Sequence, residues 1–187
     1  MSWINTKKLT SKNYICGYCG SNICSNIGYF NDDDEMSIYI CHKCNKPTFF
    51  QWEEIQTPGS LFGKQFEVAI PEIVSNLYNE ARLDYSVNAF SSVGMCCRKL
   101  LMHIAVELGA KEGLKFIEYI DFLDKENYIS KNSKKWVDVI RKMGNLTTHE
   151  IIILNQKEAE LLITFSSIII NLIYENELLL DGENNGV

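Results

Sequence analysis

The chain has 187 residues, 46% of them hydrophobic and 22% charged, with a formal net charge of -6. That length suits one ordinary domain, or one with a small appendage, and the apolar content suffices for a core. The negative balance argues against a general nucleic-acid coat protein, and the polar start, residues 1–12, lacks the apolar run of a secretory signal.

The first informative stretch contains two matching pieces, Tyr14-Ile15-Cys16-Gly17-Tyr18-Cys19-Gly20 and Ile38-Tyr39-Ile40-Cys41-His42-Lys43-Cys44-Asn45. Each is an apolar strand end, a CxxC pair and a residue that tolerates positive φ. Two such turns can aim four thiolates at one tetrahedral ion, so Cys16, Cys19, Cys41 and Cys44 are the candidate ligands of a structural Zn2+. Redox or disulfide use is the minor alternative. Four thiolates close the coordination shell and leave no place for a reacting water. Cys24 and His42 are near enough to compete as ligands, with Cys24 read as a small packing residue. Ile27–Phe30 and an acidic turn at 31–35 lie between the pairs and 48–52 follows them; three short strands around a metal then make a zinc ribbon over 1–56. Tyr18, Phe49 and Trp52 are read as aromatic support for its small core rather than as stacking platforms.

Gln56-Thr57-Pro58-Gly59-Ser60 interrupts regular structure and opens a linker or arm over 57–70. Thereafter the periodicity is helical. Helices are expected over about 71–85, over 87–108 with Gly109 as the terminating residue, and over 113–125. Another begins near Ser133, and a last one follows an N-cap at Asn155 with Glu158 three places on. The helical domain spans 71–180 and 181–187 is a tail. The expected class is mainly α with a small N-terminal β zinc ribbon. The longest apolar run, 161–174, is too short to span a bilayer and reads as a buried helix. Seven cysteines, an odd count, without a secretory signal point to a reducing, cytoplasmic setting.

One helical stretch has an uncommon polar stripe. From Trp136 onward, Arg141, Asn145 and His149 follow each other at i,i+4 steps on one face, with Thr148 beside them. Lys131, Lys134, Lys135, Arg141 and Lys142 form a local basic block that could serve a confined phosphate site. His103, between Met102 and Ile104, reads as a core histidine, and Cys96 and Cys97 as packing residues.

Several motifs occur in order: Leu77-Tyr78-Asn79-Glu80-Ala81-Arg82, Cys97-Arg98-Lys99-Leu100-Leu101-Met102-His103, Leu108-Gly109-Ala110-Lys111-Glu112-Gly113, and Ile140-Arg141-Lys142-Met143-Gly144-Asn145 followed by His149-Glu150. Over about 71–174 the chain thereby resembles the DUF4145 family, which is similar to the HEPN superfamily of antiparallel helical bundles. That resemblance implies a HEPN-like bundle, a homodimer, and a place in a prokaryotic conflict or phage-defence system. Many HEPN proteins are metal-independent ribonucleases, which would assign His149 to proton transfer and Arg141 to phosphate charge. Asn145 would complete the site, with Arg98, Lys142 and Thr148 touching RNA. Gly144 occupies the position where such ribonucleases carry arginine, which favours RNA or protein binding over cleavage. The alternative is a non-catalytic adaptor within a defence or restriction complex, holding a protein partner and no membrane.

Overall fold

The computed structural model describes residues 2–33, 35–52, 54–66, 70–129 and 153–175. It divides into two compact units, one of Met1–Phe62 with Leu83–Ala89 and one of Gly63–Arg82 with Phe90–Val187.

The first unit is a five-stranded antiparallel meander: β1 (Lys7–Ile15), β2 (Asn22–Phe30), β3 (Met36–Ile40), β4 (Pro47–Gln51) and β5 (Ile55–Thr57), in that spatial order. Its core is the buried set Tyr14, Cys16, Ile23, Tyr39, Cys41 and Phe50, with Leu9, Cys19 and Cys44 packed against it. The rings of Tyr14, Tyr39 and Phe50 meet one another at centroid distances of 5.2–6.3 Å, with Phe50 edge-on to both tyrosines, the offset geometry that ring quadrupoles favour. Gly28 is required where β2 crosses β3: a Cβ there would lie 1.7 Å from the Ile38 carbonyl oxygen.

The second unit is helical. It holds most of α1 (Glu72–Ser86), then α2 (Phe90–Glu107), α3 (Phe116–Lys125) and α4 (Gln156–Ile170), whose last turn widens into a π-helical turn, Asn171–Glu175. α2 is the central element and packs on α3 and α4. Its inward residues Val93, Cys97, Leu100, Leu101 and Ile104 are almost wholly excluded from solvent. Gly94 lets the segment entering α4 come close, since a Cβ would fall 2.5 Å from the Leu154 side chain. Gly109 ends α2 at φ 104°, a conformation that costs glycine nothing. Asn155 caps α4: its side chain accepts from Glu158 N at 3.1 Å while Glu158 accepts from Asn155 N at 2.8 Å.

The expected class, mainly α with a minor β piece, is corrected. Strands make up 21% and helices 43% of the described residues, an α+β fold. Three short strands are replaced by five, two of them nine residues long. β1 hides in the sequence because it is largely polar and its pairing with β2 shifts register between Lys8 and Lys12, which breaks the alternation that marks a strand. β5 lies partly within the stretch read as interrupting regular structure. The helix expected from Ser133, carrying Arg141, Lys142, Asn145, Thr148 and His149, lies outside the described residues. Among those described, no helix is long and apolar enough to cross a membrane.

Candidate metal centre

Each CxxC pair sits in a tight turn between two strands, and the two turns use the same backbone bonds. Cys16 N donates to Ser21 O at 2.9 Å and Gly20 N to Cys16 O at 2.8 Å. Cys41 N donates to Lys46 O at 3.0 Å and Asn45 N to Cys41 O at 2.8 Å. Gly20 (φ 66°) and Asn45 (φ 58°) take the left-handed conformation that closes each turn, as glycine and asparagine do at least cost. The β1–β2 and β3–β4 connections are therefore equivalent knuckles at one end of the sheet, and they turn their sulfurs toward each other.

The four Sγ atoms lie within 4.8 Å of one another, and among the described residues no other such group of ligands occurs. Two cross-knuckle separations are Cys16–Cys44, 3.7 Å, and Cys19–Cys41, 3.8 Å. A tetrahedron of sulfurs at the usual Zn–S length of about 2.3 Å has edges of about 3.8 Å. The distances thus fit thiolates around one ion. They are far longer than the roughly 2.05 Å of a disulfide. Cys16 and Cys41 are buried, Cys19 and Cys44 partly so, which leaves the centre sheltered on the core side.

The electrostatics of the bare cluster oppose ionising Cys16 and Cys44. Burial raises Cys16 and lifts Cys44 to about 12, the latter with the neighbouring thiols adding to the rise. Cys19 behaves differently: burial raises it, but hydrogen bonds from the Ser21 side chain and backbone outweigh this and bring it to about 7. A divalent cation would reverse the balance, because thiolates packed this closely need a positive charge among them. Zn2+ suits an all-thiolate tetrahedral set, and bound there it would supply cross-linking of the two knuckles rather than chemistry.

The rival ligands do not join the cluster. Cys24 is exposed on β2, not packed, and His42 is exposed on the second knuckle. Nor do the three aromatics expected to support the core do so: Tyr18 and Trp52 are exposed and Phe49 lies half-buried on the sheet's other face. In the helical unit, Arg98 stacks over the Phe116 ring at 4.8 Å, so α3 holds its guanidinium. His103 is half-buried, not in the core, with Nε2 3.4 Å from a Glu107 carboxylate oxygen. Cys96 and Cys97 are buried, and desolvation pushes Cys97 up to about 12, which leaves it a poor nucleophile. A buried cation was not foreseen: Arg82, 5% exposed, donates to the Asn79 side chain and lies over the Tyr78 ring.

Fold and site together define an α+β protein in which a β unit built on four clustered thiols accompanies an α-helical unit. The helical part places it further: the chain belongs to the family described as a domain of unknown function, DUF4145, which matches residues 79–181, more than half its length. The match begins after β5, so the thiol cluster lies outside it. No curated protein and no solved structure matches the chain.

Proposed function

We propose that the chain is a zinc-ribbon-bearing binding module of a prokaryotic defence system, engaging a protein or RNA partner rather than acting chiefly as an enzyme. The observation that supports this most is the four-thiol centre. Its spacing matches a closed tetrahedral zinc site, and a closed site stabilises a surface instead of activating a substrate. The defence setting, the kinship of the helical unit to HEPN proteins and its homodimeric state rest on sequence resemblance. None of the seven cysteines is in a disulfide, which fits a reducing compartment and supports the cytoplasm.

The first test is elemental analysis of the purified chain, with one zinc ion per chain expected and a metal-free protein refuting the ribbon. A pull-down from the native host should recover a stoichiometric protein or RNA. Metal-independent RNA cleavage through Arg141, Asn145 and His149 is the second reading, carried by their i,i+4 pattern in the sequence. Incubation with bulk RNA and tRNA tests it: His149→Ala should lower any cleavage by about 10²–10⁴-fold if the imidazole transfers protons. Equal cleavage by wild type, His149→Ala and Arg141→Ala removes that reading.

A further inference from the structure

The strand registers sort the β unit's aromatic and aliphatic side chains into two faces. Tyr39 and Phe50 belong to the core face. On the other face, Tyr29 pairs with Ile38, Ile38 with Phe49 and Phe49 with Thr57, one row across four strands. A second row is Met36, Gln51 and Ile55. This face is apolar and partly open: Met36 is 39% and Ile55 50% exposed.

Its two ends differ. Toward the knuckles the chain covers the face with its own N-terminal segment. Trp3 packs edge-on against Tyr29 at 6.3 Å and donates from Nε1 to Asn45 O at 3.0 Å, while the Tyr29 hydroxyl donates to Ile4 O. Toward the β2–β3 turn the cover stops, and a cavity of about 210 Å³ opens among Tyr29, Phe30, Met36, Ile38 and Phe49. Small-molecule sites usually measure about 300–1,000 Å³. This one is the size for a single anchoring side chain, the kind of pocket that an interface hot spot fills.

The rim supplies the sign of the partner. Exposed Asp32, Asp33 and Glu35 form the turn beside the cavity, and the Trp52 N–H donates to Glu35 O at 2.7 Å, which brings the β4–β5 turn with exposed Glu54 alongside. Lys7 is a cation near this end, and it lies over the Phe30 ring. A phosphate backbone would be repelled here. A second copy would bring the same carboxylates face to face, since a two-fold contact matches a patch with itself.

We propose that this open end of the outer sheet face docks a protein segment carrying one large apolar side chain with lysine or arginine within a few residues of it. The apolar residue fills the cavity beside Met36 and Ile38, as Trp3 covers the neighbouring stretch. The basic residue meets Asp32, Asp33 and Glu35. The proposal rests on reading the chain as a binding module and names its partner's chemistry; it does not depend on the Arg141–His149 stretch.

The experiment pans a display library of random short peptides against the full-length, zinc-loaded chain, then measures the selected peptides by fluorescence anisotropy. Enrichment of an apolar residue flanked by Lys or Arg is expected, with about tenfold weaker binding to Met36→Glu. Asp33→Lys should weaken binding about threefold and flatten its salt dependence. Zinc content is measured in each variant, so loss of the folded ribbon is told apart from loss of the surface; should Met36→Glu lose zinc, Ile55→Glu on the edge strand takes its place. The proposal is overturned if no sequence is enriched, if the enriched peptides are acidic or lack a basic residue, or if the surface variants bind as wild type. It is equally overturned if the face proves to be a dimer contact that Met36→Glu dissolves, or to bind RNA.

Discussion

Replacing Cys44 by serine tests the central energetic claim about the β unit. The core cluster of that unit has six buried side chains, two of them cysteines from the centre itself. So small a core cannot hold some sixty residues alone. A structural zinc supplies on the order of 10–16 kcal/mol, as much as the entire net stability of a typical domain, about 5–15 kcal/mol. The serine hydroxyl is a far weaker ligand, and it leaves Cys16, Cys19 and Cys41 with an open position in the shell. Cys44→Ser, or a strong chelator on the wild type, is therefore expected to unfold the β unit as a whole. The readout is the near-ultraviolet circular dichroism of the packed rings of Tyr14, Tyr39 and Phe50, followed beside zinc content and thiol titration. The far-ultraviolet helical signal should largely persist, because the core of the helical unit contains none of the four cysteines. If Cys44→Ser, metal-free, keeps the aromatic signal and slow amide exchange in β2 and β3, the metal is not what holds the sheet and the argument fails.

Other expectations follow from single contacts. Gly28→Ala forces a Cβ against the Ile38 carbonyl; because backbone cannot yield as a side chain does, the cost should be about 3 kcal/mol or more, read as weaker zinc retention under chelator challenge. Asn155→Ala removes the α4 cap and should cost about 1 kcal/mol, seen as a lower urea midpoint for loss of helix, while Asn155→Asp should hold near wild type. The helical unit should weaken in alkali. Burial raises Cys97 from 9.0 to about 12 and Tyr78 from 10.0 to about 12, so above pH 9 the unfolded chain sheds protons that the folded one keeps. The stabilisation is complete below pH 9 and falls until about pH 12, at up to about 1.4 kcal/mol per pH unit for each group. Urea midpoints between pH 8 and 11 check this, and Tyr78→Phe should make the decline shallower above pH 10.

The two cysteine pairs were legible because a turn that brings two thiols together imposes a spacing and a backbone chemistry that few other needs impose, and the four sulfurs do cluster. Helix ends were legible for a similar reason: Gly109 and the Asn155–Glu158 pair satisfy backbone groups locally, and local solutions leave local marks. The sheet was harder to read. β1 carries Lys7, Lys8 and Lys12 with few apolar partners, and its register shift removes the period of two. Phe49 and Phe50 are adjacent, so the sequence at 48–52 gives no preference for which ring faces inward. The knuckles contain the missing information. Tyr14 and Tyr39 each stand two residues before the first cysteine of a pair, and alternate residues of a strand share a face. Both tyrosines therefore point the way Cys16 and Cys41 point, into the core. Pairing of β3 with β4 then places Phe50 with them, opposite Ser37, and sends Phe49 to the outer face with Ile38 and Tyr29. The same step that closes the aromatic core around the four cysteines thus leaves an apolar row on the outside. Neither face can be altered by a one-residue slip without ruining the other. The outer row is in this sense a fixed consequence of where the four cysteines are, which suits it to the docking proposed above.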